Sequence, residues 1–356
     1  MGECNSPLNQ GSIRLMNSKN TLSDSRITLA HGNGGRFMRE LIDALFDRHL
    51  GNELLDTHVD AALIPMDSTL GEIMTTTDGF TVEPLEFPGG NIGSLAVHGT
   101  VNDLAVAGAT PLYLTLNAFI EEGLEVALLD RVLASMAQAC RESGVKVVAG
   151  DTKVLRRGQG GGVYFATTGI GTRPPHLRLG LGRIRPGDVI LLSGSVGDHG
   201  TAVLLAREQF GLSGELKSDS ASVLPITQAL IEIPGLRFMR DPTRGGLATV
   251  AHEIAHATGA SVRLNETRIP ILDPVRTVCE MLGYDPLYLA SEGRVVAVLD
   301  PAGAEGALQR LRGMGYTDAA IIGRVESGRA HVVLETQLGG ERILEELEDD
   351  PLPRIC

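Results

Sequence analysis

Four aspartates lie just beyond apolar runs or inside small-residue motifs: Asp60 in "VDAALI", Asp78 in "TTDGF", Asp103 in "GTVNDLAVAGA" and Asp151 in "VAGDTKV". Carboxylates brought together from several strand ends repel one another unless cations stand between them. Mg²⁺ in nucleotide sites is held in this way, shared between a few carboxylates and phosphate oxygens. Any one of the four, taken alone, reads as a turn or capping residue. Together, beside Asn102 and Lys153, they point to a metal–phosphate site. "AHGNGGR", residues 30–36, adds a Gly-rich backbone ahead of a helix, able to offer amides to a phosphate or carboxylate. No GxxxxGK[ST] occurs, which excludes a P-loop nucleotidase.

Two further features carry chemistry. The chain closes on "DDPLPRIC", with Cys356 last. Its prolines keep the segment extended, Arg354 favours the thiolate and the α-carboxylate opposes it. Seven residues from Asp350 span about 20 Å at ~3.3–3.6 Å each, enough for a sulfur to carry a group between sites. "HEIAH", residues 252–256, matches the zinc-protease pattern, with His252 and His256 on one helix face and Glu253 as a base. The longer metzincin pattern fails at Val262, and a third ligand would have to come from elsewhere, such as Glu280. The expectation is coincidence.

The elements that must position these residues alternate between strands and helices. "GGRFMRELIDALFDRHLG" has helical spacing, "AALIPM" and "GEIMTTTDGF" read as strands, and "GNIGSLAVHGTVNDLAVAGATP" reads as a close-packed helix. "LEVALLDRVLASMAQACRESG" is a helix with Leu128, Val132, Met136 and Cys140 on one stripe and Gly144 as its stop; Cys140 is expected to be buried and inert. "VKVVAG" is a strand delivering Asp151 at its end. The Pro-, Gly- and Arg-rich stretch at 173–187 marks a domain boundary, after which strands and helices restart. The expected organisation is a disordered leader at 1–27, an N-terminal domain at 28–172, a C-terminal α+β domain at 173–340, and a helix with a mobile tail at 341–356.

Composition limits the function classes. A chain of 356 residues, 43% hydrophobic, is long enough for about two domains with a substantial core. With 31 Lys and Arg against 44 Asp and Glu, the net charge of −13 argues against a general nucleic-acid or acidic-membrane binder. No apolar run of about 18 residues is present, and the leader lacks the apolar centre of a signal peptide. Four dispersed cysteines without a CxxC pair suit a reducing cytoplasm.

"AHGNGG", "TTDGFTVEPLEFPGGNIGSLAVHGTVNDLAVAGATP", "VAGDTKV", "RDPTRGGLAT", "SEGR" and the final "PRIC" closely resemble the HypE family of hydrogenase maturation factors, from about residue 28 to residue 356. That family sits in an ATP-using superfamily with aminoimidazole ribonucleotide synthetase, thiamine-monophosphate kinase and selenophosphate synthetase. The resemblance implies a mixed α/β (α+β) fold in two domains, and a homodimer whose N-terminal domains join into a β-barrel flanked by helices. It implies ATP bound at Asp60, Asp78, Asn102, Asp103, Asp151 and Asn33, with Mg²⁺ on Asp60, Asp78, Asp103 and Asp151. It further implies that a partner, HypF, carbamoylates Cys356, that the enzyme dehydrates this group to a thiocyanate, and that the HypC–HypD complex accepts the cyanide. Glu292 is the expected base and Lys153 a phosphate or oxyanion contact. Competing readings are a small-molecule kinase of the same superfamily, a docking scaffold without ATP turnover, and a zinc hydrolase.

Overall fold

The computed structural model describes residues 22, 24–32, 36–55, 71–207, 215–347 and 355–356. Asn33, Asp60 and the "AALIPM" segment lie outside the described residues. The N-terminal half begins with α1 (Arg36–Leu41), a π-helical stretch (Ile42–Asp47) and α2 (Arg48–Leu50), which follow one another directly. Next come β1 (Glu72–Phe80), the two-residue strands β2 (Glu86–Phe87) and β3 (Gly90–Asn91), and α3 (Ile92–Val106). They are followed by β4 (Thr110–Glu121), α4 (Val126–Ser143), β5 (Lys146–Leu155) and β6 (Val163–Arg173). The four long strands form one sheet in the order β1-β6-β4-β5.

Small residues let α3 pack against both α4 and the sheet. Gly93 leaves no room for a Cβ, which would stand 2.2 Å from the Val132 carbonyl oxygen. Asn91 caps α3 by accepting from the backbone N–H groups of Gly93 and Ser94, and Ser94 answers with a bond back to Asn91, a reciprocal capping box. Gly144 ends α4 in the left-handed conformation, φ 70°, as its position predicts. Val132, Met136 and Cys140 form the buried stripe, and burial pushes the Cys140 thiol up to about 12.

Among the described residues the other face of this sheet is uncovered, β1 and β5 are its outer strands, and the sheet does not close into a barrel. Ile73 and Phe119 stand exposed on that face.

The C-terminal half holds β7 (Val189–Leu192), α5 (Asp198–Ala206), α6 (Leu224–Ile231), β8 (Leu236–Arg240), α7 (Gly246–Thr258), β9 (Ser261–Asn265), α8 (Asp273–Leu282) and β10 (Val296–Leu299). It closes with α9 (Pro301–Gly313), β11 (Ala320–Glu326), β12 (His331–Glu335) and β13 (Glu341–Leu344). Its seven-stranded sheet runs β13-β12-β9-β11-β7-β10-β8, with β12 and β9 the parallel pair. One face buries α7 and the other buries α6 and α9. The expected helix after residue 340 is corrected here: Glu341–Leu344 is a strand, antiparallel to β12, with Leu344 buried opposite Val332. Four helix-favouring residues cannot nucleate a turn worth the ladder bonds and burial that the sheet edge offers them.

The two halves share core. Ala105 and Val106 of α3 join the cluster under α6 and α9, and the N-terminal core runs on through Val203, Val275 and Leu289.

Candidate active site

Three of the residues singled out in the sequence converge where the halves meet. Asp78 lies near the end of β1, its Oδ1 accepting from the Gly79 N–H at 2.7 Å. Asp103, in the last turns of α3, accepts from the Thr76 hydroxyl at 2.9 Å. Glu292 comes from the loop before β10. Asp241, just past β8, completes the group; the sequence reading quoted its motif, "RDPTRGGLAT", without assigning it a role. Asp103 and Asp241 line a cleft of ≈ 450 Å³ together with Thr76, Met239, Arg240 and Thr243 among others, and Asp78 and Glu292 stand close enough to feel their charge. That volume falls within the usual range of small-molecule sites.

The loops are built tightly. Gly245 and Gly246 turn the chain into α7 with φ 69° and 58°, and a Cβ on Gly246 would meet the Leu287 and Leu289 carbonyl oxygens at 2.6 Å. This is why "TRGGL" needs two glycines. Glu292 is clamped through its backbone: its N–H and that of Gly293 donate to the Asp219 carboxylate at 3.1 and 3.2 Å, while the Asn102 amide donates to its carbonyl at 3.0 Å. A side chain at Gly293 would collide with the Asp219 carbonyl oxygen at 1.9 Å. Asn102 is therefore engaged in holding this loop, donating also to the Ala221 carbonyl and accepting from Val223 N–H.

The electrostatics are one-sided. Burial, followed by the neighbouring Asp103 carboxylate, pushes Asp241 up to about 7. Burial chiefly, and then Asp241, Asp219, Asp78 and Asp103, holds Glu292 well above the usual carboxylate range. Asp78 and Asp103 are raised by burial too. Glu292 Oε1 is buried with no hydrogen-bond partner among the described residues. Such a set of oxygens is short of positive charge and fits a bound cation.

Cys356 reaches this place in its own chain. Its Sγ accepts from Arg244 Nε at 3.3 Å, and Arg244 also stands 3.8 Å from Asp78. Burial first, and then the Glu292 charge, push the thiol up to about 11 against the opposing pull of Arg244.

Asp151 and Lys153 are elsewhere. The row Asp78–Thr167–Leu116–Gly150 lies across the sheet next to the row Gly79–Ala166–Asn117–Asp151, so Asp78 and Asp151 face opposite sides of it. They are also three strands apart, about 14 Å at the usual strand spacing. Asp151 instead pairs with Lys153 at 2.9 Å on the uncovered face, and it lies inside β5 rather than at its end.

"HEIAH" forms α7, and a ring nitrogen of His252, one of His256 and a Glu346 oxygen lie within 4.8 Å of one another, the one such trio among the described residues. However, His252 Nε2 is bonded to the Leu344 carbonyl at 2.9 Å, and Glu253 pairs with Arg240 at 3.3 Å instead of joining the histidines. The water-activating base of a zinc protease is thus directed away.

Comparison with known proteins identifies the fold and the family. Residues 58–173 match the family model "AIR synthase related protein, N-terminal domain" and residues 185–335 its C-terminal counterpart. The chain is 46% identical to carbamoyl dehydratase HypE of Azotobacter vinelandii over 342 residues, covering 95% of this chain and 100% of that one. It is 43% identical to that of Escherichia coli (strain K12), covering 93% and 100%. A crystal structure of HypE in complex with ATP superposes with a TM-score of 0.88 at 46% identity, covering 92% of this chain and 99% of that one. The HypE of a HypE–HypF complex structure is matched with a TM-score of 0.75 at 40% identity, covering 89% and 100%. No helix among the described residues is long and apolar enough to cross a membrane. With both domains matched and near-complete coverage of these relatives, the chain belongs to the HypE family of carbamoyl dehydratases, proteins of hydrogenase maturation.

Proposed function

We propose that this chain uses ATP to dehydrate an S-carbamoyl group on its own Cys356 to a thiocyanate, the source of a cyanide ligand for the iron of NiFe hydrogenase. The observation that carries the reading is the placement of Cys356 Sγ among the acidic residues, beside Arg244 and within the field of Glu292 and Asp78. A site for chemistry on a tethered sulfur needs that sulfur and the phosphate-handling groups in one cavity.

The amide oxygen of a thiocarbamate is a poor leaving group. Its attack on the γ-phosphorus forms the C–O–P bond and breaks the bond to ADP, turning the oxygen into a departing phosphate. Loss of both nitrogen protons with cleavage of the C–O bond then leaves S–C≡N; at neutral pH one proton ends on the phosphate and the other is released. Glu292 takes a proton from the nitrogen, its unpartnered Oε1 being the free acceptor. Arg244 lies against the sulfur and steadies negative charge building beside it. Asp78, Asp103 and Asp241 would hold Mg²⁺, whose charge relieves their mutual repulsion and neutralises the phosphoryl oxygens when bound.

The solved complexes of HypE with ATP and with HypF support the same nucleotide and the same carbamoyl-donating partner here. HypC–HypD is the proposed cyanide acceptor, and the cytoplasm the proposed location. A homodimer is proposed through the uncovered face of the N-terminal sheet. That face exposes Ile73 and Phe119 and carries Asp151 and Lys153, so a second copy meeting it would close the barrel and bring the latter pair towards a neighbour's cleft.

The test needs no partner. Cys356 is carbamoylated with cyanate, Mg-ATP is added, and the peptide bearing Cys356 is weighed. The expected result is ATP-dependent loss of one water's mass, absent in Cys356→Ala. A carbamoyl group that persists while ATP is consumed would overturn the reading in favour of a small-molecule kinase.

A further inference from the structure

The carrier reading leaves open how the cleft recognises the segment that enters it. Ile355 is 3% exposed and packs into the N-terminal core beside Val203, Leu204, Leu289 and Ala290. Gly200 lies alongside it: a Cβ there would be in ordinary contact with Ile355 Cδ1 at 3.4 Å.

The backbone on either side of that anchor is read by hydrogen bonds. His199, wholly buried, places Nε2 2.7 Å from the Ile355 carbonyl oxygen and Nδ1 2.8 Å from the Ser218 hydroxyl. Phe87 stands edge-on to the ring at 5.4 Å. Burial pushes His199 down to about 4, so the ring is neutral at pH 7, donating to the Ile355 carbonyl and accepting from Ser218. Thr81 donates to an α-carboxylate oxygen of Cys356 from both its N–H, at 3.0 Å, and its hydroxyl, at 3.2 Å.

From this we infer that His199, Thr81 and the apolar pocket that receives Ile355 form a recognition subsite for an Ile-Cys dipeptide unit, separate from the groups that do the chemistry. The subsite grips the side chain before the cysteine, that residue's carbonyl and the Cys356 carboxylate. It leaves the sulfur free to point at Arg244. A chain end resting by chance on apolar surface would not account for His199. With Ile355 gone, this deeply buried imidazole would lose the partner of its N–H, and an unpaired buried donor is costly. The side chain at 355 is therefore a positioning residue, which selects the segment by apolar size and sets where the sulfur sits.

The inference rests on the carrier reading, so its test includes a readout that needs no ATP chemistry. In the full-length chain, the rate at which N-ethylmaleimide modifies Cys356 is followed by mass of its peptide, in wild type, Ile355→Ala, Ile355→Leu and Thr81→Val. Cutting the buried Ile to Ala is expected to release the segment and speed modification at least about ten-fold. Single-turnover dehydration slows by a similar factor with the KM for ATP unchanged, and Leu restores both to within about three-fold, as volume-conserving swaps do. Thr81→Val shows a smaller change in the same direction. Modification of Ile355→Ala at the wild-type rate would overturn the subsite even if dehydration proceeds normally. Faster modification in a protein that never dehydrates would uphold the subsite and overturn the dehydratase.

Discussion

Two acidic regions of this molecule treat their carboxylates in opposite ways. Around the cleft, Asp78, Asp103, Asp241 and Glu292 are crowded together, and all four are held above the usual carboxylate range. On the C-terminal sheet, Glu326, Glu335 and Glu341 converge on the single cation Arg263 at 3.0, 3.2 and 2.7 Å. There the bond to Arg263 holds Glu326 below its usual range, and Glu341 and Glu326 raise Arg263 further. Both regions are rich in Glu and Asp, so composition cannot separate them. What separates them is whether the chain supplies the counter-charge. Where it does, the acids hold structure together. Where it withholds it, the folded state carries an electrostatic cost that a bound cation and nucleotide relieve, as functional sites do.

The largest effect should come from the cleft. Glu292→Gln keeps the shape but cannot accept a proton, and single-turnover dehydration should fall about 10²–10⁴-fold with ATP binding retained. A loss below about ten-fold would assign proton removal to another group and weaken the contrast.

The second effect is on stability, with a definite sign. Burial, with the Asp103 charge beside it, pushes Asp241 up to about 7 in the folded chain from an ordinary 3.8. Between those values the native state keeps a proton that the unfolded state has released, so stability falls as pH rises through that window and the cost is complete above it. Asp241→Asn should therefore melt several degrees higher than wild type at about pH 8, the two converging near pH 4, even as dehydration is lost. Equal melting temperatures across that range would show that the cleft acids carry no such cost.

The smallest effect belongs to the other region, with the opposite pH sense. The pairing that lowers Glu326 stabilises above its unfolded pKa near 4.5 and is lost as pH falls through the lower folded value. Because these side chains are partly solvated, Arg263→Ala should cost only about 1 kcal/mol, less in high salt, with the dehydration rate unchanged. Denaturant melts at two salt concentrations would measure it. A fall in dehydration rate would mean the two regions are not separable.

How much of this the sequence made readable depends on the residue. Asp78, Asp103, Glu292 and Cys356 were named from motif and resemblance, and the fold brings them to one cleft. Asp151 and Lys153 were named on the same grounds, yet they sit on the opposite sheet face. Parity along a strand is readable locally, but which face meets the other domain is not. Asn102 was read as a nucleotide contact and is found bracing the Glu292 loop, because a buried amide takes whatever donors and acceptors tertiary packing brings to it. Residues 341–344 carry helix-favouring side chains and lie in a strand, since the sheet edge outbids local propensity over so short a stretch.

By itself the sequence determined the strand–helix alternation, the two-domain family, the acidic motifs and the cysteine that follows Ile355. These are local patterns, written in spacing and residue type. Only the tertiary structure decided that Asp241 joins the acids, that Arg244 lies on the sulfur, and that His199 and Thr81 hold the backbone around it. Those pairings link residues 112, 156 and 275 positions apart. Electrostatic cost and hydrogen-bond satisfaction are properties of distance in space, and the chain acquires those distances only on folding.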